Sequence, residues 1–205
     1  MADEQAPAPR GPSVRSLPNL LGLGRIAATP VIMALLLFDG RGTDLAAGVL
    51  FAVAGFSDFL DGRIARSRNQ VSPLGVFMDL AADKVLVAGV LIAMVELGLV
   101  PTWIAAVILI REFIVQAVRQ LAASSNVVVP AGGLGKAKTL ATLTGLGWLF
   151  LAADAATGGP MAGTGTGDIF LALGHWTLVA AAALTVVSGY EYLRNAWPIL
   201  VGRPT

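Results

Sequence analysis

The sequence predicts an all-α membrane protein: six transmembrane helices around a polar cavity that faces the cytoplasm. Three observations carry this expectation. Only 13% of the 205 residues are charged and 56% are apolar, whereas a soluble domain carries about 25% charged residues. The charges gather in short clusters between six apolar runs, each near the roughly 20 residues that a helix needs to cross the hydrocarbon core. Positive charge is concentrated at one set of run ends.

The elements follow in order. Residues Met1–Ser16 are rich in Ala and Pro and carry Asp3 and Glu4. They lack the basic start and apolar centre of a signal peptide, so a disordered cytosolic tail over 1–16 is expected, followed by one membrane domain over 17–205. The spans are expected near Leu20–Phe38, Leu45–Ile64, Pro73–Leu99, Pro101–Ala123, Thr139–Ala156 and Ile169–Leu193. Helix is the expected state because a backbone in lipid must satisfy its amides within the segment, and the period-2 alternation of barrel strands is missing. Pro73 and Pro101 stand at expected helix starts, where a missing N–H costs nothing. Pro30 predicts a kink in the first span, and the Gly- and Thr-rich stretch Thr157–Gly167 reads as a loop. Gly145 and Gly147 read as close helix contacts; Trp103, Trp148 and Trp197 read as interfacial belts, with His175 and Trp176 near the outer end of the last span.

Six spans place both termini on one side. One set of ends carries Arg10, Arg15, Arg25, Arg63, Arg66, Arg68, Arg119, Lys136, Lys138, Arg194 and Arg203. The opposite set carries Arg41 beside Asp39, Asp44, Glu96, Asp154 and Asp168. The positive-inside rule assigns the first set, with both termini, to the cytoplasm. The chain has no cysteine, which excludes disulfides, thiolate zinc sites and a cysteine nucleophile.

The chemistry is concentrated between Asp58 and Lys84. Asp58 and Asp61 are three apart, and Asp79 and Asp83 four apart. Each spacing puts a pair on one helix face. The short connection makes the second and third spans antiparallel neighbours, so the four carboxylates can converge at the cytoplasmic rim. Four such charges disfavour one another's ionisation unless cations neutralise them. All-oxygen ligands suit two Mg²⁺ or Mn²⁺ ions, the pair used for in-line attack at phosphorus. Gly62 lets a phosphate approach the backbone, and Arg66 lies one turn further on. One aspartate alone would serve equally well as a helix cap or an ion-pair partner; four at these spacings are the distinctive feature.

The pattern D-x2-D-G-x2-A-R-x8-G-x3-D-x3-D is present as Asp58, Asp61, Gly62, Ala65, Arg66, Gly75, Asp79 and Asp83. It resembles the signature of the CDP-alcohol phosphotransferases. The resemblance implies metal ligation by Asp58, Asp61, Asp79 and Asp83, with Asp83 also as general base. It implies a CDP-lipid site at Asp58, Gly62, Ala65 and Arg66, and Ser72 falls in the variable stretch of the same motif. The blocks Leu17–Arg25, Ala82–Lys84, Arg111–Phe113 and Gly135–Thr139 resemble the branch that makes phosphatidylglycerophosphate from CDP-diacylglycerol and glycerol 3-phosphate. Leu80 replaces the Pro that usually follows the third aspartate, and Gln116 replaces a small residue. A homodimer among membrane lipids is what the family suggests, in a cell inner membrane; no nucleic-acid partner is expected.

A phosphorylated acceptor is a dianion, so basic residues near the metals are its expected ligands. The candidates are Arg25, Arg111, Arg119, Lys136 and Lys138. Arg111 lies inside an apolar run, where an ionisable residue is a functional candidate, with Glu112 or a motif aspartate as its partner. Lys136 and Lys138 also suit ordinary topology or lipid headgroups. Two rival readings stand beside this one. The acceptor is another alcohol such as inositol phosphate, or the chain is a cation transporter with an acidic site; against the latter, the aspartates sit at one face, not at the midplane.

Overall fold

The computed structural model describes residues 17–38, 40–67, 73–124 and 133–201, apart from the side chains of 17–19, 58–80, 83 and 199–200. The tail expected over 1–16 and Ser72 lie outside the described residues. Among the described residues the regular structure is all helical: α1 (Leu17–Leu37), α2 (Thr43–Ser67), α3 (Pro73–Glu96), α4 (Thr102–Ser124), α5 (Gly133–Ala156) and α6 (Gly167–Leu200), with a single 3-10 turn at Ala162–Thr164 before α6.

Each helix arises where its apolar run predicts it. Pro73 opens α3, and Pro101 directly precedes α4, its carbonyl accepting the Ile104 N–H at 3.0 Å. α1 continues through Pro30. The loop from Thr157 is present, with left-handed turns at Gly158 and Gly165. Two boundaries differ, and one is that α6 runs on to Leu200, past the expected end at Leu193. α5 starts at Gly133, not near Thr139, so Lys136 and Lys138 are helical residues and not part of a loop. Lysine and alanine are good helix formers, and they carry the helix outward beyond the apolar run that marks the span.

By length and composition, α1, α5 and α6 are apolar enough to cross a membrane, over Leu20–Leu37, Gly133–Ala156 and Gly167–Pro198. α2 is apolar over Thr43–Ser57 before its acidic end, and α4 carries Arg111 and Glu112 within its length. Large apolar side chains face outward, among them Phe56, Ile92, Ile110, Phe113, Leu140, Val186 and Val187. Such a surface suits lipid, not water, and marks a membrane protein.

One core joins all six helices, through Ile32 and Leu36, Phe51, Leu91 and Met94, Ile104 and Ile108, Leu149 and Phe150, and Leu178. α5 and α6 pack most extensively; α1 packs against both α2 and α3, and α4 against α6. Gly145 and Gly174 permit the α5–α6 approach. A Cβ on Gly145 would lie 2.9 Å from Leu178 Cδ2, and one on Gly174 would lie 2.5 Å from Leu149 Cδ2. Gly147, expected at a close contact, has nothing within 4 Å of its Cβ position; it is two residues from Gly145 and so on another face of α5. Trp148 is half-buried and stacks on Phe170 with centroids 5.7 Å apart, while Trp103, Trp176 and Trp197 are exposed. His175 is tied to the Leu99 carbonyl by its Nε2 at 2.7 Å.

Gly174→Leu is expected to destabilise the fold by about 1–3 kcal/mol through overpacking at the seam, measured as a fall in thermal midpoint in detergent. Gly147→Leu at an open site is expected to leave that midpoint near the wild-type value.

Candidate active site

The end of the bundle that holds the candidate site is defined by its opposite end. Asp44, in the first turn of α2, is buried and accepts a hydrogen bond from Thr157 Oγ1 at 2.7 Å, just past α5. Asp154 accepts the Met161 N–H at 2.8 Å, and Arg41 Nε donates to the Gly158 carbonyl at 3.1 Å. One stretch further along, the Phe51 and Phe150 rings meet at 5.3 Å. α2 and α5 are therefore antiparallel, and equal steps along each separate these two contacts. Two helices of equal rise continue that register, which brings Asp58 and Asp61 of α2 level with Leu143 and Leu140 of α5. Lys138 lies half a turn beyond.

α3 enters at the same level. A Cβ on Gly89 would meet Thr29 and Met33 of α1, and one turn back along both helices brings Arg25 of α1 level with Val85, next to Lys84 and Asp83. The backbone thus gathers the ends of α2, α3 and α5 that carry the acidic motif and Lys138. Gly62, Ala65 and Arg66 fall in the last turns of α2. The side chains of Asp58, Asp61, Gly62, Ala65, Arg66, Asp79 and Asp83 lie outside the described set, so their placement here is that of the helix backbone.

Beside Asp83 the described side chains form a cluster. Glu112 of α4 lies between Lys84 of α3 and Lys138 of α5: Lys84 Nζ donates to Oε2 and Lys138 Nζ to Oε1. Arg111 Nη1 donates to the same Oε1 at 3.1 Å, and Nη2 donates to Ser188 Oγ of α6 at 3.2 Å. One carboxylate thus binds α3, α4 and α5 together, and Arg111 extends the link to α6. Gly189 makes room for it, since a Cβ there would lie 3.0 Å from Arg111 Cγ. Lys138 is only 6% exposed in its side chain, Glu112 13% and Arg111 15%. The charges therefore interact with much less screening than a surface pair does. A cavity of about 30 Å³ opens beside them, lined by Lys84, Glu112, Lys138, Thr139 and Thr142 with apolar neighbours. That is room for one or two waters.

The candidate acceptor residues separate into groups. Arg111 and Lys138 belong to the cluster, and Arg111 has the Glu112 partner anticipated for it. Arg25 is buried at the same level, with its carbonyl accepting from Thr29 Oγ1 at 3.0 Å. Arg119 lies two turns further along α4 and is exposed, its guanidinium 5.9 Å from the Tyr192 ring centroid. Lys136 is exposed and, two residues from Lys138, points from a different face of α5. The sequence reading gave no site role to Lys84, Glu112 as a shared anion, Ser188 or Tyr192. An available signal was that Glu112 and Lys84 are ionisable residues in or beside apolar runs, where each needs a partner.

Among the described residues no group of three or more His, Cys, Asp or Glu side chains is placed to hold a metal; the side chains of the four aspartates expected as ligands lie outside that set. The donor chemistry fits a hard divalent cation: four carboxylates, in pairs one turn apart on two helical backbones, with no sulfur or imidazole at those positions.

The chain matches known proteins over most of its length. The family model described as CDP-alcohol phosphatidyltransferase matches residues 15–187. A CDP-diacylglycerol–glycerol-3-phosphate 3-phosphatidyltransferase of Bacillus subtilis (strain 168) is 37% identical over 197 residues, covering 90% of this chain and 97% of that protein. The protein of the same name in Rickettsia bellii (strain RML369-C) is 36% identical, covering 87% of this chain and 94% of its own length. A cardiolipin synthase (CMP-forming) of Oryza sativa subsp. japonica is 32% identical over 98% of this chain and 63% of that protein. The complete eight-residue signature, on helices that the fold brings to one end of the bundle, agrees with these matches: the chain belongs to the CDP-alcohol phosphatidyltransferase family and is an enzyme of that class.

Proposed function

We propose that the chain transfers the phosphatidyl group of CDP-diacylglycerol to glycerol 3-phosphate, giving phosphatidylglycerophosphate and CMP. The observation that carries this reading is the cationic cluster of Lys84, Arg111 and Lys138 beside Asp83, where the acidic motif needs a phosphorylated acceptor to arrive. The names of the bacterial relatives support the same pair of substrates. In this reading all six helices span an inner membrane, both termini and the polar cavity face the cytoplasm, and the working unit is a homodimer in lipid.

Asp58, Asp61, Asp79 and Asp83 would hold two Mg²⁺ or Mn²⁺ ions. When bound, these would neutralise charge on the diphosphate and on departing CMP. The remaining chemistry falls to the chain. Gly62, Ala65 and Arg66 receive the cytidine diphosphate, with Ser72 a further contact, while the acyl tails stay in the bilayer. The basic cluster takes the phosphate of the acceptor, with Arg25 at its level and Arg119 and Lys136 on the exposed approach to it. That fixes the free primary hydroxyl against the lipid-linked phosphorus. Asp83 accepts the hydroxyl proton as the oxygen attacks; the new P–O ester bond forms as the bond to CMP breaks.

Lys138→Ala is expected to raise KM for glycerol 3-phosphate roughly tenfold to a hundredfold, the worth of a hydrogen bond to a charged group at about 1.5–3 kcal/mol. Lys136→Ala, at an exposed position, is expected to raise it by a smaller factor. An unchanged KM in both removes these lysines from acceptor binding.

The match to a protein named cardiolipin synthase (CMP-forming) raises a second acceptor class, a lipid alcohol. Purified protein given CDP-diacylglycerol with glycerol 3-phosphate, inositol phosphate, phosphatidylglycerol or no acceptor separates the readings by released CMP. Release that depends on glycerol 3-phosphate supports the proposal. Release that depends only on another alcohol overturns the acceptor, and cation uptake into vesicles without CMP release overturns the reaction class.

A further inference from the structure

We propose that Glu112 is a positioning residue that sets the charge and shape of the acceptor subsite, so that it receives a phosphomonoester dianion. This rests on the phosphatidyl-transfer reading above and adds to it the residue that arranges the cations.

Three cations, Lys84, Arg111 and Lys138, meet at one carboxylate. The group carries an excess of two positive charges, matching the two negative charges of a phosphomonoester near neutral pH. Without the carboxylate, three cations from three helices would repel one another in a weakly screened site. With it, both carboxylate oxygens are engaged, and the ammonium and guanidinium groups are held close together. Donors nevertheless remain. Each lysine ammonium has three N–H groups and spends one on Glu112, and Arg111 Nε is buried with no hydrogen-bond partner among the described residues. The unused donors belong to cations already fixed in place, which is how a subsite binds an anion without ordering three long side chains on arrival. Glu112 acts through the cations; the substrate is touched by them.

A structural staple would look the same in a static view, so the test separates the two by kinetics. Glu112→Gln and Glu112→Asp are assayed as full-length protein in detergent–lipid micelles, with KM measured separately for glycerol 3-phosphate and for CDP-diacylglycerol. Glu112→Gln is expected to raise KM for glycerol 3-phosphate at least tenfold and to leave KM for CDP-diacylglycerol within twofold; Glu112→Asp is expected to recover part of the loss. An unchanged acceptor KM overturns the proposal. So does an equal rise in both KM values or a fall in kcat alone, the pattern of general loosening. If Glu112→Gln does not fold, Lys84→Gln takes its place: by lowering the excess charge from two to one it is expected to raise the acceptor KM about fivefold with donor KM unchanged, and no rise overturns the proposal. A wild type that releases no CMP on addition of glycerol 3-phosphate overturns the underlying reading. A wild type that does, with unchanged acceptor KM in the variants, overturns only the role of Glu112.

Discussion

Asp83→Asn is expected to lower CMP release by about 10²–10⁴-fold, the usual contribution of a positioned general base, while binding of CDP-diacylglycerol stays measurable. The asparagine keeps the size of the side chain and an oxygen that can ligate, but it does not take a proton at neutral pH. The attacking hydroxyl of the acceptor is a poor nucleophile until its proton leaves, so the loss falls on kcat. The backbone position makes Asp83 the motif aspartate nearest the acceptor cations in sequence, since Lys84 follows it directly and is bound to Glu112. Single-turnover CMP release and binding of a radiolabelled donor check both halves. Normal turnover in this variant removes Asp83 as base and returns the four acids to a ligand role alone.

Removing divalent metal is expected to stop CMP release altogether, and Mg²⁺ or Mn²⁺ to restore it. The reason is charge. Four carboxylates would meet a diphosphate that is itself an anion, and uncompensated charges of one sign at close range oppose both binding and ionisation. Excess EDTA followed by titration with Mg²⁺, Mn²⁺ or Ca²⁺ checks this. Activity that survives exhaustive chelation contradicts the metal-assisted reading. The larger coordination number and longer bonds of Ca²⁺ make it the informative third ion.

The helices were largely legible in the sequence because their cause is local. A run of about 20 apolar residues between charged clusters is bound to become a helix in lipid, and the expected spans fall within a few residues of α1–α4 and of the start of α6. The exceptions, the start of α5 and the end of α6, have one physical reason: apolar content marks the expected span, while the helix continues as long as its residues allow. The acidic motif was equally legible, since its spacing along two helices is a property of the chain alone. The cluster around Glu112 was not. Its partners come from α3 and α5, and no periodicity links Lys84 to Lys138; only packing decides that both reach one carboxylate. The same holds for the glycines. Gly145 and Gly147 look alike in the sequence, yet only Gly145 meets Leu178 of α6. The stacking of Trp148 on Phe170 is likewise decided by packing, because Phe170 lies on another helix.

The four aspartates at the ends of α2 and α3 are the centre of the account, and counting bound Mn²⁺ by electron paramagnetic resonance tests them without any substrate. Wild-type protein in detergent is expected to bind two Mn²⁺ per chain, displaced by excess Mg²⁺, and Asp61→Asn with Asp79→Asn is expected to lose both while keeping the wild-type helical circular dichroism. A wild type that binds no Mn²⁺, or a folded double variant that binds as many ions as the wild type, contradicts it.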